Sequence, residues 1–187
     1  MRVILAEKPS VAQSIAAVLG ADQKKNGYLQ GENDLVSWCI GHLIELAPPE
    51  IYDARYAKWR REDLPIVPSA RESVVSDGTK KQFAVLKDLL NRTDVDEVVC
   101  ATDAGREGEL IFRMVYEKTG CTKPVKRLWI SSLEESAIRE GFRSLKPGTA
   151  YDALYRAALC RAQADWLVGI NGTRLYSRLY GIKLNVG

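Results

Sequence analysis

A short apolar run, Glu97-Val98-Val99-Cys100, passes through Ala101-Thr102-Asp103-Ala104-Gly105-Arg106-Glu107-Gly108-Glu109 into Leu110-Ile111-Phe112-Arg113-Met114-Val115-Tyr116. No other stretch constrains the fold as much. The first run reads as a buried strand, and the apolar residues at 111, 112 and 115 suit one face of a helix. Carboxylates, an arginine and two glycines therefore sit where a strand hands over to a helix. In open α/β sheets ligands bind at that carboxyl end of the strand. Hard oxygens gathered there suit Mg²⁺, which takes a few carboxylates and completes its shell with water and phosphate. The plainer alternative is a solvated acidic turn.

The N-terminus repeats the arrangement. Val3 to Ala6 is another run of buried-strand type, and Pro9-Ser10 opens a helix with apolar positions at Val11, Ile15, Val18 and Leu19. Glu7 and Lys8 thus stand in the same kind of place as Asp103, at a strand end facing a helix N-terminus, where an anion such as phosphate is favoured. A Glu-Lys pair there can move a proton and clamp a phosphate. A surface ion pair of little energetic weight is the bland reading.

Strands alternate with helices as far as residue 145, which predicts an α/β domain with a largely parallel sheet. The elements expected are strand 2–6, helix 10–19, a hairpin of 28–30 with 35–40, helix 79–91, strand 97–101, helix 108–118, strand 126–130 and helix 133–143. The segment 47–79 reads as a long loop or insertion, because Pro48-Pro49, Pro65 and Pro68 break regular structure. Pro147-Gly148 marks a boundary, and a long, mainly helical segment starts near 150. Two domains are expected, 1–147 and the start of another at 148–187.

Composition narrows the function classes. No apolar stretch approaches the roughly 20 residues needed to span a bilayer, so no membrane partner is expected. The four cysteines (39, 100, 121, 160) are scattered, read as reduced and mostly buried, and give no support for zinc. The net charge of +3 resides in 151–187, where Arg156, Arg161, Arg174, Arg178 and Lys183 face only Asp152 and Asp165. Trp166, Tyr176 and Tyr180 are interleaved with these bases, a combination that suits single-stranded nucleic acid. Residues 151, 154, 155, 158, 162 and 166 share one helical face, however, which makes Trp166 a core residue. Arg161 and Asp165 stand four apart and can pair.

Leu-Ala-Glu-Lys-Pro-Ser at 5–10, Asp-x-Gly-Arg-Glu-Gly-Glu at 103–109 and Arg161-Ala-Gln-Ala-Asp-Trp-Leu-Val-Gly-Ile-Asn-Gly-Thr-Arg174 resemble, in order and spacing, the N-terminal part of type IA DNA topoisomerases, the topoisomerase III branch above all. Gly41-His42-Leu43 matches a further position of that family. The resemblance implies a toprim-type, Rossmann-like sheet flanked by helices, then the start of a DNA-groove domain. It also implies ATP-independent cleavage and religation of single DNA strands through a 5′-phosphotyrosine. Glu7 and Lys8 would be catalytic. Glu7, Asp103 and Glu107 would bind Mg²⁺. Lys8, Arg106, Arg161, Arg174 and His42 would contact single-stranded DNA, although His42 can equally cap its turn. Gly105 and Gly108 would let the backbone come close, and Glu109 would complement the helix dipole.

One departure matters. The family's acidic triad, Asp-x-Asp-x-Glu, would fall on 103, 105 and 107, but residue 105 is glycine, so a second metal loses a ligand. None of the eight tyrosines (28, 52, 56, 116, 151, 155, 176, 180) lies in a context like the family's nucleophile. The closing Leu184-Asn185-Val186-Gly187 reads as the interior of a continuing element, so the chain is expected to be an N-terminal fragment, inactive alone, of a monomeric cytoplasmic, nucleoid-associated enzyme. A toprim nuclease or primase-like enzyme, or a non-catalytic nucleic-acid-binding module, is the alternative.

Overall fold

The computed structural model describes residues 1–181 and 184–186. Lys183, counted above in the basic excess, and the closing Gly187 lie outside the described residues. In chain order the elements are β1 (Arg2–Ala6), α1 (Pro9–Leu19), β2 (Gln23–Lys25), β3 (Tyr28–Gln30), β4 (Asp34–Trp38), β5 (Ile44–Leu46), α2 (Pro49–Tyr52), β6 (Ser73–Val75), α3 (Lys80–Leu90), β7 (Glu97–Ala101), α4 (Arg106–Thr119), β8 (Val125–Arg127), α5 (Glu135–Arg143), β9 (Lys146–Pro147) and α6 (Asp152–Tyr180).

The main sheet has seven strands in the order β2-β3-β4-β1-β7-β8-β9. β1 pairs in parallel with both β4 and β7, and β7 in parallel with β8, while the outer pairs β2-β3, β3-β4 and β8-β9 are antiparallel. This is the expected α/β fold: a mixed sheet, parallel through its centre from β4 to β8, flanked by helices and followed by a helical segment. Its centre is dry. Val3, Ile4, Leu5 and Ala6 of β1 are all fully buried, as are Leu35, Val36, Val98 and Val99 beside them. A strand covered on both faces needs that unbroken apolar run rather than alternation.

Element bounds depart from expectation where backbone partners run out. β8 ends at Arg127 because it pairs with β7 only over Val125–Arg127, and Trp129 then stacks on the Tyr151 ring at 4.8 Å. α4 starts at Arg106, two residues early. α5 starts at Glu135, after the Ser132 hydroxyl accepts the Glu134 amide at 3.2 Å.

Two compact units divide the chain, and the division does not follow a single cut. Unit 1 comprises Met1–Ile44 and Val75–Ala158, and unit 2 comprises Glu45–Val74 and Leu159–Gly187. The segment expected to be a long loop contains α2, short 3₁₀ turns and β6, and it folds with the later part of α6. Within unit 2 the Asn171 side chain grips the Ile66 main chain twice, accepting its N–H at 2.6 Å and donating to its carbonyl at 2.9 Å. Trp166 meets Tyr52 edge-on at 5.9 Å, a packed rather than free aromatic.

Candidate functional site

Parallel pairing of β1 with β7 aligns Ala6 with Ala101, so the next residues of the two strands leave the sheet side by side. The Glu7 carboxylate accepts the Asp103 backbone N–H at 3.2 Å. A half-buried and an exposed acidic residue are thereby brought together from positions 96 residues apart in sequence. Lys8 is exposed at the N-cap of α1, and Arg106 is exposed at the first position of α4.

The Asp103 backbone is held from several directions. Its carbonyl accepts from the Gly105 N–H at 2.9 Å and from Arg127 Nη2 at 2.6 Å. The Thr102 hydroxyl donates to the Gly108 carbonyl at 2.8 Å. A Cβ on Gly108 would lie 2.1 Å from the Asp103 carbonyl oxygen, so only glycine lets α4 approach this closely. Gly105 is different: its φ of −175° is ordinary extended backbone, and a Cβ there meets nothing within 4 Å, so no contact within the chain requires glycine at this position.

Beneath the turn lies Arg127, which sequence reasoning missed. It is 1% exposed, and its Nη1 donates to the carbonyls of Cys100, Thr102 and Leu128 at 3.1, 2.8 and 2.7 Å. Its Nε pairs with Glu109 at 2.6 Å, and Trp129 covers its guanidinium at 4.9 Å. Glu109 is itself 1% exposed and also faces Arg113 at 3.4 Å. It is the first-turn acid of α4 that was expected, and in addition a buried ion-pair partner of two arginines. The signal available in the sequence was an arginine closing the short strand Val125-Lys126-Arg127, with an acid, Glu109, in the first turn of the preceding helix.

Two thiols sit below Glu7. Burial pushes the Cys39 thiol well above its ordinary range, with Cys100 and Glu7 adding to the effect. Burial likewise pushes Cys100 up to about 11. Both are buried and stay protonated at neutral pH, so neither adds a nucleophile.

The remaining expected residues are dispersed. Glu107 is exposed and its carboxylate lies 3.8 Å from His42 Nε2. In unit 2, Arg161 is exposed and stands 3.5 Å from Asp165. Arg174 is 4% exposed. It donates to the Tyr56 carbonyl at 2.7 Å, lies 3.9 Å from Glu50 and covers the Trp59 ring at 5.4 Å; burial lowers its pKa against the opposing pull of Glu50 and Asp63.

Among the described residues no group of three or more His, Cys, Asp or Glu converges as a closed metal cage. Glu7 and Asp103 instead offer two carboxylates from neighbouring strand ends, linked through the Asp103 N–H. That suits a hard cation that keeps water and recruits substrate phosphate, and it does not suit a structural zinc.

The sequence pattern of the toprim domain matches residues 2–133. The chain is 51% identical over 185 residues to DNA topoisomerase 3 of Bacillus thuringiensis (strain Al Hakam), covering 99% of this chain and 25% of that protein. It is 53% identical over 186 residues to DNA topoisomerase 3 of Shouchella clausii (strain KSM-K16), covering 100% of this chain and 26% of that protein. The chain thus spans about a quarter of the length of these curated relatives. Full-length topoisomerase I from Thermotoga maritima has the same fold over 94% of this chain and 26% of its own, with a TM-score of 0.64 at 24% identity.

Proposed function

The chain belongs to the toprim family, and from that premise we propose that it is the acid–base and metal-binding part of a type IA DNA topoisomerase of the topoisomerase 3 kind. The observation that carries this reading is the Asp103 N–H bond to Glu7, which joins two acidic residues at neighbouring strand ends. Identity to the two DNA topoisomerase 3 proteins supports it.

In this reading the parent enzyme cuts one DNA strand, passes another through the gap and reseals it. The phosphodiester energy is kept in a 5′-phosphotyrosine, so no ATP is needed. Glu7 gives a proton to the departing 3′ oxygen and takes it back on religation. Lys8 holds the scissile phosphate as a point charge, and Arg106 contacts a neighbouring phosphate. Glu7 and Asp103 would hold Mg²⁺, with Glu107 as an outer partner; bound there, the ion supplies neutralisation of the phosphate charge. With glycine at 105, one metal is the reading favoured. Arg161 supplies positive charge for single-stranded DNA, with His42 as a further contact, and Arg174 serves DNA binding by fixing the 45–74 segment.

The nucleophilic tyrosine is supplied from outside these 187 residues. Tyr52, Tyr116 and Tyr155 have hydroxyls bound to Glu72, Lys123 and Glu117, Tyr151 stacks on Trp129, and Tyr176 stacks on Tyr180. No helix among the described residues is long and apolar enough to cross a membrane. A monomeric enzyme working on cytoplasmic DNA is the setting proposed.

Labelled single-stranded DNA incubated with the longer protein and then denatured tests the reading. A protein–DNA adduct is expected, with formation slowed about 10²–10⁴-fold by Glu7→Ala. Near-normal cleavage by that variant would remove Glu7 from proton transfer. An adduct formed by the 187-residue chain alone would overturn the assignment of the nucleophile.

A further inference from the structure

A second recess opens within unit 1 beside Asp103, and the mechanism above does not use it. Its volume is about 370 Å³, at the lower end of the ~300–1,000 Å³ of small-ligand pockets. It lies past the carboxyl ends of β7 and β8, between Val11 and Ile15 of α1 and Ile130 and Leu133 of the segment entering α5. Two aliphatic walls thus come from separate elements, and Leu133 is left 46% exposed at the mouth. Ser131 and Ser132 line the recess, the Ser132 hydroxyl already accepting the Glu134 N–H. Asp103 lines it too and joins it to the Glu7 carboxylate.

We infer that this recess is a nucleobase subsite: it takes the base of the nucleotide whose phosphate lies at Glu7, Lys8 and Asp103. The inference rests on the phosphate-handling reading given above. A base attached next to that phosphate has only one sugar's reach, and Asp103 belongs to both places. A flat heterocycle fits between opposed aliphatic walls, which exclude water from its faces. Its polar edge meets hydroxyls that can donate or accept. Such an edge distinguishes bases weakly, so the subsite holds a nucleotide in position without reading sequence. A purely apolar ligand would leave Ser131 and the donor hydrogen of the Ser132 hydroxyl unused, and a bare phosphate would leave the aliphatic walls unused.

The 187-residue chain, methyl-labelled at Ile, Leu and Val, is titrated by NMR in millimolar Mg²⁺ with a short oligothymidylate and with an abasic strand of the same length. Both strands should move the backbone amides of Glu7, Lys8 and Asp103. Only the oligothymidylate should move the methyls of Ile15, Ile130 and Leu133. Ser131→Trp, made at an exposed lining position, fills the recess; it should weaken the oligothymidylate about tenfold and leave the abasic strand unchanged. Amides that move while those methyls stay still, or a Ser131→Trp effect equal for both strands, would overturn the subsite and leave the phosphate site standing. Amides that respond to neither strand would overturn the phosphate site and the subsite with it.

Discussion

Arg127 in unit 1 and Arg174 in unit 2 are both buried, both donate to main-chain carbonyls and both have an aromatic ring over the guanidinium. They differ in how their charge is met. Arg127 has a buried carboxylate at 2.6 Å, whereas the nearest acid to Arg174 is at 3.9 Å and half exposed. The first has its charge met inside the core, by a buried carboxylate that it shares with Arg113. The second is a cation drawn out of water with partial compensation, which is why burial depresses its pKa. Burial alone therefore does not say what an arginine does; the distance and exposure of its counter-charge do.

The sharpest way to break this comparison is to remove each guanidinium. Arg127→Met should leave the buried Glu109 with only the longer Arg113 contact at 3.4 Å and cost about 3–5 kcal/mol by urea unfolding. Pairing it with Glu109→Leu should recover much of the loss. A double variant no more stable than the single one would show that carbonyl clamping, rather than charge pairing, dominates. Arg174→Met should cost less, about 1–3 kcal/mol for its lost main-chain bond and packing. Equal costs would erase the distinction drawn here.

Around Asp103 the two glycines provide a contrast of the same kind. Gly108→Ala forces a methyl into the Asp103 carbonyl and should cost about 1–3 kcal/mol. Gly105→Ala should stay within about 0.5 kcal/mol, measured in the same unfolding series. On the DNA side, Arg161→Ala should lower the salt dependence of single-strand binding by about one unit of slope with stability unchanged. If Arg174→Met did that while folding normally, Arg174 would be a direct DNA contact after all. The smallest effect concerns the thiols. At neutral pH a maleimide should label exposed Cys160 and spare buried Cys39 and Cys100. Because the folded Cys100 pKa lies above its unfolded value of 9.0, its contribution to stability is complete below pH 9 and drains away as pH rises through about 11.

The sequence exposed what depends on local pattern. The unbroken apolar runs of β1 and β7 and the turns after them are written in consecutive residues, so the sheet and the meeting of Glu7 with Asp103 were readable. What escaped depends on partners distant in the chain. Arg174 sits in a block of basic and aromatic residues and suggests a nucleic-acid contact until Tyr56, Glu50 and Trp59 are seen around it. Arg127 is one charge in a short strand, and nothing adjacent announces that carbonyls from residues 100, 102 and 103 converge on it. The 45–74 segment, rich in proline, lacks helical or strand periodicity. Its order comes from the Asn171 grip and its neighbours, not from its own sequence.

That grip sets a timetable for the nascent chain. Ile66 and Asn171 are 105 residues apart. At a synthesis rate of about 5–20 residues per second, Ile66 is made roughly 5–20 s before the side chain that binds both of its main-chain polar groups. During that interval the 45–74 segment protrudes between β4 and α3 without its partner, open to proteases and chaperones, while β1, β4 and β7 already have what they need to pair. Unit 2 is thus the last part to close during translation, and a ribosome stalled before residue 171 would display 45–74 as a cleavable loop on an otherwise forming sheet.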